Sequence, residues 1–230
     1  MDKKSDYLVI IPAYNEEDTI EEVVLRTKHY ADVCVINDNS RDSTPELLRR
    51  FDDIHVIHHE RNTHIPGALL DGMRYALANG YAYAIAMDAG LSHNPDDIPK
   101  FMAHPACDLV IGTRTEKINT PLFRRLLSSA GNIMYNMSLD FPRSAFRWPY
   151  YKDITSGYRR YSKSAMRAIV SQEIRSRSFD ILFETAMIVY RERLTFAEVP
   201  ISYHFSNSSL NPGVVKDCLR MCIREIIMKR

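Results

Sequence analysis

The chain has 230 residues, 45% of them hydrophobic, which is enough for one well-buried core and makes one domain the default. A formal net charge of +1 with 26% charged residues shows no basic or acidic excess, which argues against a nucleic-acid binder. No run of ~18 apolar residues occurs, so the sequence offers no membrane-spanning helix.

Lys3 and Lys4 precede a short apolar run, Tyr7 to Ile11, which stops at Pro12 and the acidic pair Glu16-Glu17. This reads as a buried strand and not as a signal peptide. Thr19 to Tyr30 has helical spacing, with Ile20, Val23, Val24 and Thr27 on one face. Val33 to Ile36 is a second strand and ends in the polar cluster NDNSRDST. Thr44 is placed to cap the next helix, with Pro45 at its first position and Leu47, Leu48 and Phe51 facing the core. His55 to His58 is a third strand. Gly67 to Asn79 is a helix ending at Gly80, and Tyr83 to Met87 is a fourth strand that stops at Asp88. Strands alternating with helices predict an α/β domain with a mixed, mostly parallel sheet covered by helices on both faces.

The second half is less regular. Asp108 to Gly112 reads as a strand and Leu122 to Met137 as a helix. Asp140 to Lys152 carries two prolines and five aromatics and reads as a loop over the functional face. Ser162 to Val170 and Phe179 to Arg191 are predicted helices, Val199 to Tyr203 a final strand, and Phe205 to Gly213 a Ser/Asn-rich loop. Val214 to Arg230 is a basic amphipathic helix, so the expected division is a domain over 1–213 and this helix over 214–230. Its stripe of Val215, Cys218, Leu219, Cys222 and Ile226 leaves two placements open: on a membrane surface, or against its own domain or a partner subunit. Cys34, Cys107, Cys218 and Cys222 lack paired ligand spacing, and reduced thiols in a cytoplasmic protein are the expectation.

In an open parallel sheet, ligands bind beyond the carboxyl ends of the strands. Four polar clusters fall there: Tyr14-Asn15-Glu16, Asn37-Asp38-Asn39-Ser40, Asp88, and Thr113-Arg114. One polar turn after a strand is usually only a turn. Four on one edge suit a nucleotide and a cation bridging its phosphates. No P-loop, Rossmann glycine fingerprint or Gly-X-Ser-X-Gly elbow occurs, which argues against NTPases, dehydrogenases and serine hydrolases. His58, His59, His64 and His93 fall in different loops, and a structural role is expected for His93.

Five segments in order resemble the family-2 glycosyltransferases of the GT-A fold: VIIPAYNEEDTI, VINDNSRDST, the block from His64 to Phe101 containing MDAGLSHNPDD, DITSGYRRYSKSAM, and FETAMIVYRERLTFAEVPISY. The fourth and fifth resemble the dolichol-phosphate-mannose-synthase-like branch, the polyprenyl-phosphate glycosyltransferases. The resemblance covers about Tyr7 to Tyr203. It implies a single GT-A domain and a hexosyltransferase of the inverting type that uses a nucleotide-diphosphate sugar. It also implies that Pro12, Tyr14, Glu16, Asn37 and Asp38 line the donor pocket and that Asp88 holds a divalent cation, Mg or Mn. Arg114, Arg124 and Ser128 match positions that hold an acceptor phosphate, Asp153 and Gly157 lie in the acceptor-side motif, and Glu184 matches a helix glutamate near the active face. Asp88, Asp153 and Arg114 are the implied catalytic residues, with a lipid phosphate at the periphery of a membrane as the implied acceptor.

The chain departs from the family pattern at three points. The cation motif Asp-X-Asp reads Asp88-Ala89-Gly90, Asn37 stands at a usual aspartate, and HFSNSSLN replaces a basic stretch after the Glu-Val-Pro-Ile strand. Gly90 offers no carboxylate, so weaker metal binding is expected. If the acceptor is a hydroxyl, Asp153 is the candidate base. The alternative readings are a sugar-nucleotide-binding scaffold on the same fold and a metal-independent transferase.

Overall fold

The computed structural model describes residues 5–118, 122–139, 151–204 and 220–221, and leaves undescribed the side chains of 116–128. The expected loops at 140–150 and 205–213, and almost all of the expected C-terminal helix, lie outside these residues. The first half runs β1 (Tyr7–Ala13), α1 (Ile20–Thr27), β2 (Asp32–Asn37), α2 (Thr44–Leu48), β3 (His55–His58), α3 (His64–Ala78) and β4 (Tyr83–Ala86). The second half runs α4 (Ile98–Ala103), β5 (Leu109–Ile118), α5 (Leu122–Leu139), β6 (Arg159–Ser162), α6 (Lys163–Val170), α7 (Ile181–Arg191) and β7 (Phe196–His204). Among the described residues these strands form one seven-stranded sheet in the order β3-β2-β1-β4-β6-β5-β7. Only β6 runs against its neighbours.

The order explains the layers. The chain leaves β1 outward through β2 and β3, then returns across β1 to β4. Right-handed crossovers in opposite directions must cover opposite faces. Accordingly α1, α2 and α4 pack one face, through Val23, Leu48 and Phe101 against Val9, Val33 and Val110. Helices α3, α5, α6 and α7 pack the other, through Met73, Tyr135, Met166 and Val189 against Ile10, Ala84 and Leu109. Helix α3 comes close at Gly72, where an added Cβ would lie 2.4 Å from Ile10 Cγ2. The reversal of chain direction between β1 and β4 opens a crevice at their carboxyl ends.

Most expected elements are present with shifted ends. Helix α3 begins at His64 and not at Gly67, and α1 ends at Thr27. Thr44 is the first residue of α2, not its cap, and its Oγ1 accepts from Glu16 N at 2.9 Å. Strand β6 was not expected. Its sequence, Arg159-Arg160-Tyr161-Ser162, puts two arginines where a central strand normally carries apolar residues, yet both are fully buried. Each donates to backbone carbonyls, although Arg160 Nε has no partner among the described residues. Arg160 donates to Phe101 O at 2.6 Å and His104 O at 2.9 Å, capping the unpaired carbonyls at the end of α4. Arg159, on the opposite face, donates to Ser156 O at 2.8 Å, to Ile154 O and to Leu182 O of α7.

Among the described residues no helix is long and apolar enough to cross a membrane. Cys34 and Cys107 are free, and burial pushes the Cys34 thiol up to about 12.

Candidate active site

The loops after β1 and β2 are sewn together by side chains that bond the other loop's backbone. Asn15 N donates to Ser40 Oγ at 3.0 Å, and Arg41 N donates to Asn15 Oδ1 at 2.8 Å. Glu17 N donates to Asp42 Oδ2 at 3.1 Å, and Ser43 N donates to Glu17 Oε2 at 2.8 Å. Asn15 and Asn39 sit at φ of 55° and 62°, the left-handed conformation that asparagine tolerates better than most residues. The pair makes one rigid rim beside the half-buried Pro12, with Tyr14 45% exposed on it.

Asn37 and Asp38 lie buried at the end of β2. Asn37 Nδ2 is 3.0 Å from His58 Nδ1, and its Oδ1 accepts from Ser40 N at 3.2 Å. Its amide is therefore engaged by the protein. Asp38 Oδ1 accepts from His59 Nδ1 at 2.8 Å, Thr63 N at 2.7 Å and Thr63 Oγ1 at 2.9 Å. Sequence reasoning assigns no role to His58 or His59. The readable signal was their position at the end of the strand beside β2, where Asn37 and His58 are register partners.

Asp88 follows β4, and its side chain is half exposed. Its backbone N–H donates to His93 Nδ1 at 3.2 Å, so Nδ1 is an acceptor and the ring is the neutral Nε2–H tautomer. Burial pushes the His93 pKa below its ordinary value, which agrees with that tautomer. His93 stacks on Tyr158 at 4.9 Å and meets the edge of Tyr203 at 5.9 Å. Glu16 stands on the other side of Asp88. Burial, helped by the negative charge of Asp88, raises the Glu16 pKa against the bond from Thr19 Oγ1. Among the described residues, its chain neighbours aside, the atom within 4 Å of a Cβ added to Gly90 is Glu16 Oε2, at 3.9 Å, so among these residues the space of the missing aspartate is open and faces a carboxylate.

The reversed strand brings the second half to this edge. Because β6 runs antiparallel, the residues before it, 153–158, arrive at the carboxyl ends of β4 and β5. A Cβ on Gly157 would lie 3.5 Å from Asp88 Oδ1 and 3.6 Å from His93 Cε1. Arg114 is on β5 at a register shift between Arg114 and Glu116, a bulge that re-aims the strand. Its Nε and NH2 donate to Asp153 Oδ2 and Oδ1 at 2.7 and 2.6 Å. Its own backbone N–H also reaches Asp153 Oδ2 at 3.1 Å. Burial works against the Arg114 charge, but the Asp153 pair outweighs it and raises the pKa. Arg114 Cζ also sits 5.2 Å from the centre of the Tyr203 ring, so Arg114, Tyr203, His93 and Asp88 form one continuous chain of contacts.

Two asparagines the sequence reading passed over as supports hold this segment. Asn132 Nδ2 donates to Lys152 O at 2.8 Å and Asn136 Nδ2 to Tyr151 O at 2.8 Å, while Ile154 N and Tyr151 N donate back to their Oδ1 atoms. Two amides four residues apart, and so on one face of the helix, were the available signal. Arg124 and Ser128 lie one turn apart on α5, and their side chains are outside the description. Glu184 is engaged by the protein's own backbone. It accepts from Arg175 N and Ser176 N at 3.0 and 2.8 Å and anchors the loop before α7.

An α/β sheet with one reversed strand, carrying an acid after β4 beside the loop that the reversal delivers, defines a GT-A-type transferase domain. Residues 8–170 match the family model described as Glycosyl transferase family 2, and the chain belongs to that family and is a glycosyltransferase. It is 31% identical to the undecaprenyl-phosphate mannosyltransferase of Micrococcus luteus, over 92% of this chain and 90% of that one. It is 29% identical to the UDP-N-acetylglucosamine–dolichyl-phosphate N-acetylglucosaminyltransferase of Methanococcus voltae, over 89% and 88%. In fold it resembles the Mycobacterium tuberculosis glucosyl-3-phosphoglycerate synthase solved with Mn2+ and UDP. That match has a TM-score of 0.68 at 15% identity, over 96% of this chain and 78% of that one.

Proposed function

We propose that this enzyme transfers a sugar from a nucleotide-diphosphate donor to a polyprenyl phosphate presented at a membrane surface. The observation that carries this reading is the state of Asp153. A hydroxyl acceptor needs a carboxylate to take its proton. Asp153 receives Arg114 N and Nε on Oδ2, and Arg114 NH2 and Thr155 Oγ1 on Oδ1. A carboxylate paired and hydrogen-bonded in this way is a poor proton acceptor. A phosphate monoester brings an oxygen already ionised at neutral pH and needs no base. The names of the Micrococcus and Methanococcus relatives, which act on undecaprenyl and dolichyl phosphate, agree.

In this reading Arg114 supplies fixed positive charge, and Arg124 and Ser128 on α5 orient the acceptor phosphate. Tyr14, Glu16 and Asp38 form the donor pocket, while Asn37 shapes it from beneath. The residues fit one divalent cation, Mg or Mn, held by Asp88 and the donor's own phosphate oxygens. His93 Nδ1, 3.5 Å from Asp88 Oδ2, is already an acceptor for Asp88 N and gives that carboxylate no proton, and among the described residues the space over Gly90 is open. A bound cation would stabilise negative charge on the leaving diphosphate. The apolar stripe and basic flank of 214–230 suit contact with the membrane that carries the acceptor.

The test incubates the protein with labelled UDP- and GDP-sugars and vesicles carrying either polyprenyl phosphate or the free polyprenol, with Mg, with Mn, or with chelator. Label should enter the phosphate lipid alone. Equal labelling of the free alcohol would overturn the acceptor assignment. Nucleotide-sugar binding without turnover on any acceptor would favour the scaffold reading.

A further inference from the structure

We propose that His59, braced by Asp71 and Thr63, is a positioning residue that aims Asp38 into the donor pocket. The inference rests on Asp38 belonging to that pocket. Asp38 is a nearly buried carboxylate, and such a group is costly unless donors satisfy it. Here the donors are distributed unequally. His59 Nδ1, Thr63 N and Thr63 Oγ1 all converge on Oδ1, at 2.7 to 2.9 Å, and among the described residues none reaches Oδ2. One oxygen is fixed by the protein and the other is left for a ligand. The Asp38 backbone is fixed as well, because Asp38 N donates to Ala13 O at 2.8 Å.

The support extends outward. An ionised carboxylate only accepts, so His59 Nδ1 carries a proton. The far ring nitrogen, Nε2, lies 3.1 Å from Asp71 Oδ2, and Arg74 NH1 holds Asp71 Oδ1 at 2.7 Å. A line of close contacts thus runs from Arg74 on the outer surface of α3, through Asp71 and His59, to Asp38, the step from Nε2 to Asp71 being a short approach without hydrogen-bond geometry. Thr63 is held in place by a second device. A Cβ added to Gly67 would lie 2.3 Å from Thr63 Oγ1, so a residue larger than glycine would push that hydroxyl off Asp38. His58 does the equivalent for Asn37, whose amide it engages at 3.0 Å. The two histidines at the end of β3 therefore hold the two polar residues at the end of β2, but only Asp38 keeps an oxygen that no described group occupies.

The experiment is calorimetric titration of the full chain with UDP and with GDP, alongside thermal unfolding and initial rates. Asp71→Asn lies at a half-exposed position and should leave the midpoint of unfolding near wild type while weakening nucleotide binding several-fold. His59→Ala should weaken it about tenfold or more, with His59→Gln recovering part by donating to Oδ1 again. Donor KM should rise while kcat at saturating donor stays near wild type. Asp71→Asn should add nothing once His59 is alanine, the coupling expected of one chain of contacts. Gly67→Ala should weaken binding in the same way from the Thr63 side.

Wild-type affinity in both Asp71→Asn and a folded His59→Ala, with Asp38→Ala losing binding, would overturn the positioning role and leave the donor site intact. If His59→Ala does not fold, wild-type affinity in Asp71→Asn and Gly67→Ala overturns it equally. Wild-type affinity in Asp38→Ala would instead overturn the donor-site reading on which the inference rests.

Discussion

The half of the sheet built from β1 to β4 and the half built from β5 to β7 supply polar groups to the same edge by different means. In the first half every strand runs forward, and each candidate residue follows its strand: Glu16 after β1, Asp38 after β2, Asp88 after β4. In the second half one strand runs backward, so the segment before β6 reaches the edge and Asp153 meets Arg114 across 39 residues of sequence. The first arrangement follows from local order along the chain. The second needs tertiary supports: Asn132, Asn136, Glu198 and two buried arginines. Glu198 accepts from Lys152 N at 2.7 Å and Asp153 N at 3.2 Å, so even the neighbouring strand β7 helps to seat the segment.

If the first half supplies the chemistry and the second half mainly positions it, substitutions in each should fail differently. Asp88→Asn should lower sugar transfer by about a thousandfold, since it weakens the hold on the cation proposed to neutralise the leaving diphosphate, while unfolding stays near wild type. A variant with wild-type rates would place the chemistry elsewhere. Arg159→Met should do the reverse. It strands the carbonyls of Ile154, Ser156 and Leu182 in a dry interior, a loss of about 3–5 kcal/mol measured by urea unfolding. A loss below about 1 kcal/mol would show that these bonds are replaceable and that the second half is less dependent on its supports.

The same contrast explains what the sequence could reveal. Strands β1 to β4 are short apolar runs closed by polar turns, and their burial follows their hydropathy. The position of Asp88 could be read directly from the run YAIAM before it. Strand β6 could not be read, because Arg159 and Arg160 are buried through carbonyl partners that hydropathy does not register. The Arg114–Asp153 pair was equally hidden, since each residue looked like an independent ligand for phosphate or proton. The histidines at the end of β3 were visible as residues, but their partners depend on the register of β2 against β3.

Between the halves lies His93, and acid should loosen it before the rest. Its folded pKa is depressed by burial, so between the ordinary 6.5 and that lower value the unfolded chain binds a proton that the folded chain refuses. The stability contributed by neutral His93 is full above 6.5 and is lost as the pH falls through its folded pKa. Urea unfolding from pH 7.5 to 5 should show this loss. His93→Gln, which keeps an acceptor for Asp88 N, should flatten the slope. An unchanged slope would assign the loss to other groups.

The smallest expected effect has the opposite sign and belongs to the donor half. Glu16 has a raised folded pKa, caused first by burial and then by the nearby charge of Asp88. A raised carboxylate contributes stability below its ordinary value of 4.5, and that contribution is lost as the pH rises through its folded pKa. Ionised Glu16 therefore costs stability at neutral pH. Glu16→Gln keeps an acceptor for Thr19 Oγ1 and removes the charge, so at pH 7.5 it should stabilise the protein. The gain should be less than about 1 kcal/mol, because solvent screens a half-buried group, and it should vanish near pH 4. The variant should also gain less than wild type in unfolding temperature when Mg or Mn is added with UDP, since a ligand stabilises the fold in proportion to its affinity. A residue that costs stability alone and returns it with the cation fits a donor half that holds unpaired charge for its ligand. Lower stability of Glu16→Gln at pH 7.5 would mean that the bond from Thr19 to the ionised carboxylate outweighs its burial.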